Sequence, residues 1–353
     1  MIRVAINGYG RIGRIAHRVM ISQFSDQIEV VAINAGSSTD ITGWMYLLQY
    51  DSVYGTLPAK ISSRKEESES SDIIGHLTIN NTEIPVYSQK DPTKLPWGSL
   101  NVDVVIESTG AFTKTEDLQK HIDAGAKSVV LSAPYKDEEG GGPTYVLGVN
   151  LHRDAQAVEP IISNASCTTN CITPVAHIIH EKLGIEKAMM TTIHGYTSDQ
   201  RIQDGGHKDY RRARAAAENI IPTSTGATKA AAAAIPDLKG VFNGLAIRVP
   251  VPVGSLADFT FLVKTETTTE SVNDLLKAAA QEAKFKGIFT TTTDPVVSSD
   301  IIGNPHSSIA DLSLTQVVGG TMVKVVAWYD NEFGYANRLV EETLLTGRLR
   351  STA

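Results

Sequence analysis

"AINGYGRIGRIAHRVM", residues 5–20, decides how the first half of the chain is read. Gly8, Gly10 and Gly13 stand in G-x-G-x-x-G spacing. Glycines are common in turns, so the spacing alone is a weak signal. Its context is specific: an apolar run at residues 2–6 precedes it, and an amphipathic helical pattern at 11–21 follows. That strand–turn–helix order is the one a dinucleotide loop requires. Gly8 permits the tight turn, and Gly10 lets the backbone approach a pyrophosphate favoured by the helix N-terminus. The competing reading is a glycine-rich turn without a ligand.

Working outward, Val/Ile-rich runs recur at residues 28–33, 102–106, 128–131 and 145–149, with helical patterns such as 115–124 between them. Near-continuous apolar strands alternating with helices predict a parallel sheet covered on both faces. The polar stretch 62–72, "SSRKEESESSD", reads as an exposed loop or hairpin tip. Past residue 166 the strand candidates 187–193, 243–249, 258–263 and 324–329 predict larger antiparallel elements with longer connections. The alanine run at 230–234 reads as helix core by propensity. The last stretch, 335–349, has helical spacing at Val340, Thr343 and Leu344, with Gly347 read as its stop.

Composition narrows the function classes. The 353 residues carry a net charge of −7, with a pI near 5.7. No basic face is advertised for nucleic acid or an anionic membrane. No apolar run approaches the ~18 residues that span a bilayer, and the opening lacks a signal-peptide layout. With only two cysteines, a secreted disulfide framework is not expected and a cytoplasmic location is.

Both cysteines lie in "SNASCTTNC", residues 163–171. A disulfide between Cys167 and Cys171, four apart in a helix, has poor geometry. A zinc site needs three or four ligands, and no second Cys pair exists, so no metal is expected. The remaining reading is one reactive thiol. A helix starting near Ser166 would put Cys167 at its N-terminus, where the dipole and free N–H groups favour thiolate, with Cys171 packed one turn deeper. The alternative for Cys167 is a buried structural cysteine. A nucleophilic thiol wants an imidazole, and His194 in "MMTTIHGYTSDQ" is the best candidate. His194 could equally be a core histidine at a strand end.

"INGYGRIGR", "SNASCTTNC", "HGYTSDQ", "RRARAAAENIIPTSTGATKA", "LAIRVPVPVGSLADF" and "WYDNEFGYANR" occur in this order and span nearly the whole chain. Together they resemble the phosphorylating glyceraldehyde-3-phosphate dehydrogenases. The resemblance implies an α/β fold: an N-terminal Rossmann doubly wound parallel sheet plus an α+β catalytic domain on a large mixed sheet. The expected boundaries are 1–166 for the NAD(P)-binding domain, joined by a C-terminal helix at about 334–353, and 167–333 for the catalytic and oligomerisation domain. It implies Cys167 as nucleophile and His194 as base, acting through a thioester. Cofactor residues by the resemblance are Asn7, Gly8, Gly10, Arg11, Ile12 and Gly13 in the loop, Ser108, Thr109, Gly110 and Ser132 along the cleft, and Asn331 on the nicotinamide amide. The substrate phosphate falls to Thr197, Asp199 and Arg248, with Asp199 expected to orient Arg248. The attacking phosphate falls to Ser166, Thr168, Arg212, Thr225 and Gly226. The implied partners are glyceraldehyde 3-phosphate and inorganic phosphate, with a homotetramer and neither nucleic acid nor membrane. A relative acting on erythrose 4-phosphate, and an inactive nucleotide- or RNA-binding protein on this fold, are the alternatives.

One departure bears on the cofactor. The second strand should end in an acid for the adenosine ribose, but it runs Asn34-Ala35-Gly36-Ser37-Ser38, and the first acid is Asp40. Ala35, Gly36, Ser37 and Ser38 could instead receive a 2′-phosphate. Gly205-Gly206 also stand where members restricted to NAD commonly carry Leu-Pro. The expected cofactor is therefore NADP, NAD or both.

Overall fold

The computed structural model describes residues 1–67, 72–137 and 141–351. It divides into two compact units: residues 1–144, 154–165 and 336–353, and residues 145–153 with 166–335.

The first unit contains β1 (Ile2–Asn7), α1 (Arg11–Gln23), β2 (Ile28–Asn34), α2 (Ile41–Gln49), β3 (Tyr50–Asp51), β4 (Gly55–Thr56), β5 (Ile61–Lys65), β6 (Ile73–Ile79), β7 (Thr82–Tyr87), β8 (Val104–Glu107), α3 (Thr115–Asp123), β9 (Ser128–Leu131) and β10 (Ile161–Ser163). Its eight-stranded sheet runs β10-β9-β8-β1-β2-β7-β6-β5. Pairing is parallel from β10 through β7 and antiparallel across β7, β6 and β5. From β1 the chain moves to β2 on one side and later to β8 on the other. The ends of β1 and β8 therefore flank the topological switch point, where such sheets bind ligands. Val4, Ala5, Ile6, Val104, Val105 and Ile106 are wholly buried in β1 and β8, each large aliphatic contributing ~1.5–3 kcal/mol. α1 turns Ile15, Ala16, Val19 and Met20 inward, as its apolar spacing predicts.

The second unit begins its main run with α4 (Cys167–Leu183) and continues with β11 (Ile185–Gly195), β12 (Ile221–Ser224), α5 (Ala227–Ala234), β13 (Phe242–Val249), β14 (Ser255–Val263), α6 (Thr269–Ala280), β15 (Phe289–Thr292), β16 (Ser308–Asp311), β17 (Gln316–Val318) and β18 (Met322–Tyr329). The sheet order is β12-β13-β11-β14-β18-β16-β15, with β17 on β18. One core joins α4, α5 and α6 to the sheet through Cys171, Ile172, Val175, Ala231, Leu276, Phe259 and Phe261. Helix α7 (Phe333–Ser351) starts in this unit and belongs to the first from residue 336.

Four expectations are corrected. Residues 145–149 form no strand: Gly148 takes φ +85, and Val146 N–H turns to the Asn150 side chain (2.7 Å). The sheet edge is β10 instead. Residues 62–65 belong to strand β5, paired with β6, while 68–71 lie outside the described residues. β11 and β13 pair in parallel, because β12 and α5 intervene and carry the chain back. Gly347 does not stop α7. It lies inside the helix, where a Cβ would come within 2.3 Å of the Ile2 side chain, so its smallness lets α7 pack on β1.

Candidate active site

The thiol sits where a strand-to-helix turn puts it. Buried Ala165 adopts φ 55, a left-handed conformation costly for a residue with a Cβ. Ser166 then caps α4, its Oγ accepting from Thr169 N–H (3.1 Å). Cys167 opens the helix, partly exposed, and Cys171 is buried one turn on.

Within the second unit, His194 at the end of β11 reaches Cys167: Nε2 lies 3.5 Å from Sγ. His194 Nδ1 lies 2.6 Å from Gly195 O, an acceptor, which fixes the neutral ring with its proton on Nδ1. Nε2 then offers its lone pair to the thiol. Arg248 Nη1 donates to Gly195 O (3.2 Å) and Thr197 Oγ1 (3.3 Å) and lies 3.1 Å from Nδ1, which as an N–H does not accept from it. Burial, and next Arg248, push the imidazole down to about 3. Burial pushes the Cys167 thiol up, against the pull of Arg248, the Thr168 hydroxyl and the Cys167 and Thr168 N–H groups. The expected lowering by the helix terminus is thus outweighed by desolvation. Both shifts favour a thiol beside a neutral imidazole, with Nε2 placed where it could accept a proton from Sγ.

Two sets of groups in this unit have the donors that a phosphate would need. Arg248 is half-buried, and its Nε–H is buried without a hydrogen-bond partner. Such an orphan donor beside Thr197 suits a phosphate oxygen. The second set is looser. Gly226 caps α5, and Thr225 Oγ1 accepts from Ala227 N–H (3.1 Å). Arg212 Nη1 bonds Asp199 (2.7 Å), its Nε bonds Thr223 Oγ1 (3.0 Å) and its Nη2 bonds Ser224 O (3.1 Å). Asp199 therefore pairs with Arg212, and with His207 at 3.4 Å, rather than orienting Arg248. The Thr168 hydroxyl is buried on Tyr329 (3.0 Å), leaving its backbone as the part that could meet an anion. Arg211 and Arg214 are exposed, Arg214 paired with Asp204.

The glycine loop in the first unit fits a dinucleotide. Gly8 holds φ +95, and a Cβ there would strike Thr109 N at 2.5 Å. A Cβ on Gly13 would meet Gly8 O at 2.2 Å, whereas one on Gly10 would meet nothing, so Gly10 faces open space at the start of α1. Ser108 Oγ donates to Gly8 O (2.7 Å), locking this loop to the one after β8. Ser132 Oγ is buried without a partner. An open glycine cradle at a helix start and an orphan hydroxyl match the backbone contacts and hydrogen bonds a pyrophosphate nucleotide needs. Arg11 is held by Asp51. Ile12 follows it in α1.

Asn7 departs from its expected role: it is wholly buried and bonded to Asn34 and Glu107, out of reach of a ligand. At the end of β2, Ala35 N–H is taken by Tyr87 O (2.8 Å). Gly36 is left-handed at φ +69, Ser37 is exposed, and Ser38 Oγ accepts from Trp44 Nε1 (2.9 Å). Asp40 caps α2 through Gly43 N–H (2.8 Å).

In the second unit, Asn331 Oδ1 accepts from Ser255 Oγ (2.8 Å) and Gly254 N–H (3.2 Å), so a carboxamide would be met by its Nδ2.

Profiles of two families match: glyceraldehyde 3-phosphate dehydrogenase, NAD binding domain, over residues 2–115, and its C-terminal domain over residues 166–331. Similar proteins include glyceraldehyde-3-phosphate dehydrogenase 2 of Streptomyces avermitilis, 51% identical over 346 residues, which are 98% of each chain. The glyceraldehyde-3-phosphate dehydrogenase of Geobacillus stearothermophilus is 49% identical over 340 residues, 96% of each chain. That of Zymomonas mobilis is 46% identical, over 96% of this chain and 97% of its own. The chain belongs to the glyceraldehyde-3-phosphate dehydrogenase family. It is an oxidoreductase with an NAD-binding Rossmann domain, as the glycine loop and the cysteine motif led one to expect.

Two residues of the site escaped the sequence reading. Tyr329, in "WYDNEFG", is buried edge-on to His194 with ring centroids 5.9 Å apart, and its Oη joins Thr168 to Thr192. Glu107 lies wholly buried at the end of β8. A Tyr or Glu closing an apolar strand is a faint signal that partner geometry alone makes meaningful.

Proposed function

We propose that the protein oxidises glyceraldehyde 3-phosphate and captures the product with inorganic phosphate, reversibly, as 1,3-bisphosphoglycerate. The observation that carries this is the Cys167 Sγ–His194 Nε2 pair at 3.5 Å, with Arg248 beside it. Sγ adds to the aldehyde carbon while its proton passes to Nε2, giving a hemithioacetal. The Cys167 N–H at the helix start is a candidate donor to the alkoxide oxygen. His194 then holds the hydroxyl proton as the carbon is oxidised, and a bound nicotinamide supplies the hydride acceptor. The resulting thioester on Cys167 retains the free energy of oxidation, and phosphate oxygen cleaves it, restoring the thiol. Arg248 and Thr197 hold the substrate phosphate. Arg212, Thr225, Gly226, and the start of α4 at Ser166 and Thr168 receive the attacking one. Residues 1–166 with the last helix bind the cofactor, and 167–333 carry the chemistry. The erythrose 4-phosphate reading shares these steps, and initial rates on the two aldehydes separate them. An inactive binding protein would have no use for a thiol–imidazole pair.

The same reading extends to NADP. Ala35 brings no carboxylate to repel a 2′-phosphate, and the helix cap occupies Asp40. A cation also stands near: Ser88 bonds Gly36 O (3.3 Å), Gln89 N–H bonds Asn34 (3.0 Å), and exposed Lys90 follows. A Cβ on Gly206 would meet nothing, and one on Gly205 would make only ordinary contacts with the Arg201 stem and Gln203 O, so neither glycine adds bulk. Met189, Leu245 and Met322, exposed on β11, β13 and β18, support a face covered by further copies, consistent with a homotetramer. Among the described residues no helix is long and apolar enough to cross a membrane. A cytoplasmic site of action completes the reading.

The test is aldehyde oxidation with each cofactor, with and without inorganic phosphate. NADP should be used at least comparably with NAD, turnover should need phosphate or arsenate, and Ala35→Asp should shift preference to NAD. A preference for NAD above roughly a hundredfold in kcat/KM, about 2.7 kcal/mol, would sink the NADP reading. Equal turnover without an acceptor anion would sink the phosphorylating one.

A further inference from the structure

Beneath the dinucleotide loops of the first unit runs a buried polar chain that the reaction above does not use. Trp97 Nε1–H donates to His121 Nδ1 (2.9 Å). Indole nitrogen can only donate, so Nδ1 is the acceptor and the His121 proton is on Nε2. Nε2–H points to Glu107 Oε2 at 3.2 Å. The same oxygen accepts from Asn7 Nδ2, and Asn7 Oδ1 accepts from Asn34 Nδ2 (2.6 Å). The other oxygen, Oε1, accepts from Thr109 N–H (2.7 Å) and from the Thr109 hydroxyl. Trp97, Asn7, Glu107 and His121 are wholly buried. The chain thus ties the ends of β1, β2 and β8, which open the loops Gly8–Gly13, Ala35–Ser38 and Ser108–Gly110.

We propose that Glu107, its acceptor role fixed by the Trp97–His121 pair, is the positioning residue of the cofactor cleft. Resting on the reading of Ser108–Gly110 as cofactor-lining, it holds Thr109 so close to Gly8 that a Cβ on Gly8 would come within 2.5 Å of Thr109 N. Without that hold the loop loses its order before it meets the dinucleotide, and ordering it again weakens binding. The chemistry at Cys167 is left intact.

The chain makes an uncommon prediction about pairs of substitutions. In Glu107→Gln the amide N–H₂ meets donors, because Trp97 prevents His121 from moving its proton to Nδ1. Trp97→Phe removes that constraint. His121 then accepts from the new amide, relieving one of the clashes. Trp97→Phe alone should weaken cofactor binding, yet in the Glu107→Gln background it should partly restore it. A merely structural role would make the two losses accumulate.

Calorimetric titration with NAD and NADP, and steady-state kinetics, should be run on wild type, Glu107→Gln, Trp97→Phe and the double variant. Glu107→Gln should raise the dinucleotide Kd and KM about tenfold, change kcat at saturation less than threefold, and leave the aldehyde KM alone. Recovery of at least threefold in Kd in the double variant supports the proposal. Unchanged Kd in Glu107→Gln, or additive losses in the double variant, overturns it. Should Glu107→Gln not fold, Thr109→Val serves the same comparison, and an unchanged Kd there is equally fatal. Gly10→Val guards the underlying reading. If it too leaves dinucleotide binding intact, the loop is not the cofactor site, and the proposal falls with that reading rather than by itself.

Discussion

Replacing His194 by asparagine tests the thiol–imidazole pair by its energetics. In the proposed reaction Nε2 takes the thiol proton over 3.5 Å, and Gly195 O holds the ring in the needed tautomer. Losing a general base costs ~10²–10⁴ in rate, or about 2.7–5.5 kcal/mol. The fold should lose less: a buried polar ring packed on Tyr329 is exchanged for a smaller amide, a change in the ~1–3 kcal/mol range of ordinary core substitutions. Stopped-flow appearance of reduced cofactor under saturating aldehyde and cofactor isolates the chemical step, and denaturant unfolding monitors the fold. The pH profile adds a second signature. Burial pushes the Cys167 thiol up, so without its base the variant should regain rate steadily as pH rises through and beyond 9. A folded variant retaining more than a tenth of the wild-type hydride step would remove His194 from the mechanism.

Three further outcomes follow from the same geometry. Arg248→Ala should raise the aldehyde KM more than the phosphate KM, and Arg212→Ala the reverse. Identical changes for both ligands would merge the two anion sites. The second concerns acid stability: His17 and His194, both buried, are pushed down to about 3, whereas each titrates near 6.5 when unfolded. Between those values only the unfolded chain takes up the proton, so stability is full above 6.5 and falls as pH drops, by ~1.4 kcal/mol per unit for each histidine. Moving from pH 7 to 5 should therefore cost about 2 kcal/mol per histidine, and His17→Gln should halve this share. Denaturant titrations showing the same loss in both proteins would contradict the assignment. Last, iodoacetamide near neutral pH should label Cys167 and spare buried Cys171. Peptide maps with label chiefly on Cys171 would reverse their roles.

What the sequence made legible depended on how local each signal is. The Gly8–Gly13 loop is encoded by consecutive residues, since its strand, turn and helix all lie within a short stretch. The start of α4 was readable for the same reason, with Ser166 a good cap and Cys167 next to it. The approach of His194 to Cys167 is tertiary: β11 brings the ring back to the helix start after α4. The resemblance, not any spacing, joined the two residues. Where a residue type suggested one role and packing chose another, the sequence misled. Gly347 looked like a stop because glycine ends helices, yet it is small because Ile2 presses on it. Asn7 sits beside the loop in sequence but turns into the sheet to meet Glu107 and Asn34. Asp199 looked like a partner for Arg248, but its connecting loop folds back and gives it Arg212. Residues 145–149 have strand composition, but Gly148 and the Asn150 side chain turn them into a loop.

In the proposed reaction Cys167 carries the oxidised substrate as a thioester that phosphate releases. This is tested most directly by mixing enzyme, aldehyde and oxidised cofactor without phosphate, quenching in acid and mapping the peptides by mass. A phosphoglyceroyl adduct is expected on the Cys167 peptide, near one per chain, and it should disappear when phosphate is added before the quench. Reduced cofactor formed in stoichiometric amount with no adduct on Cys167, or an adduct indifferent to phosphate, would contradict it.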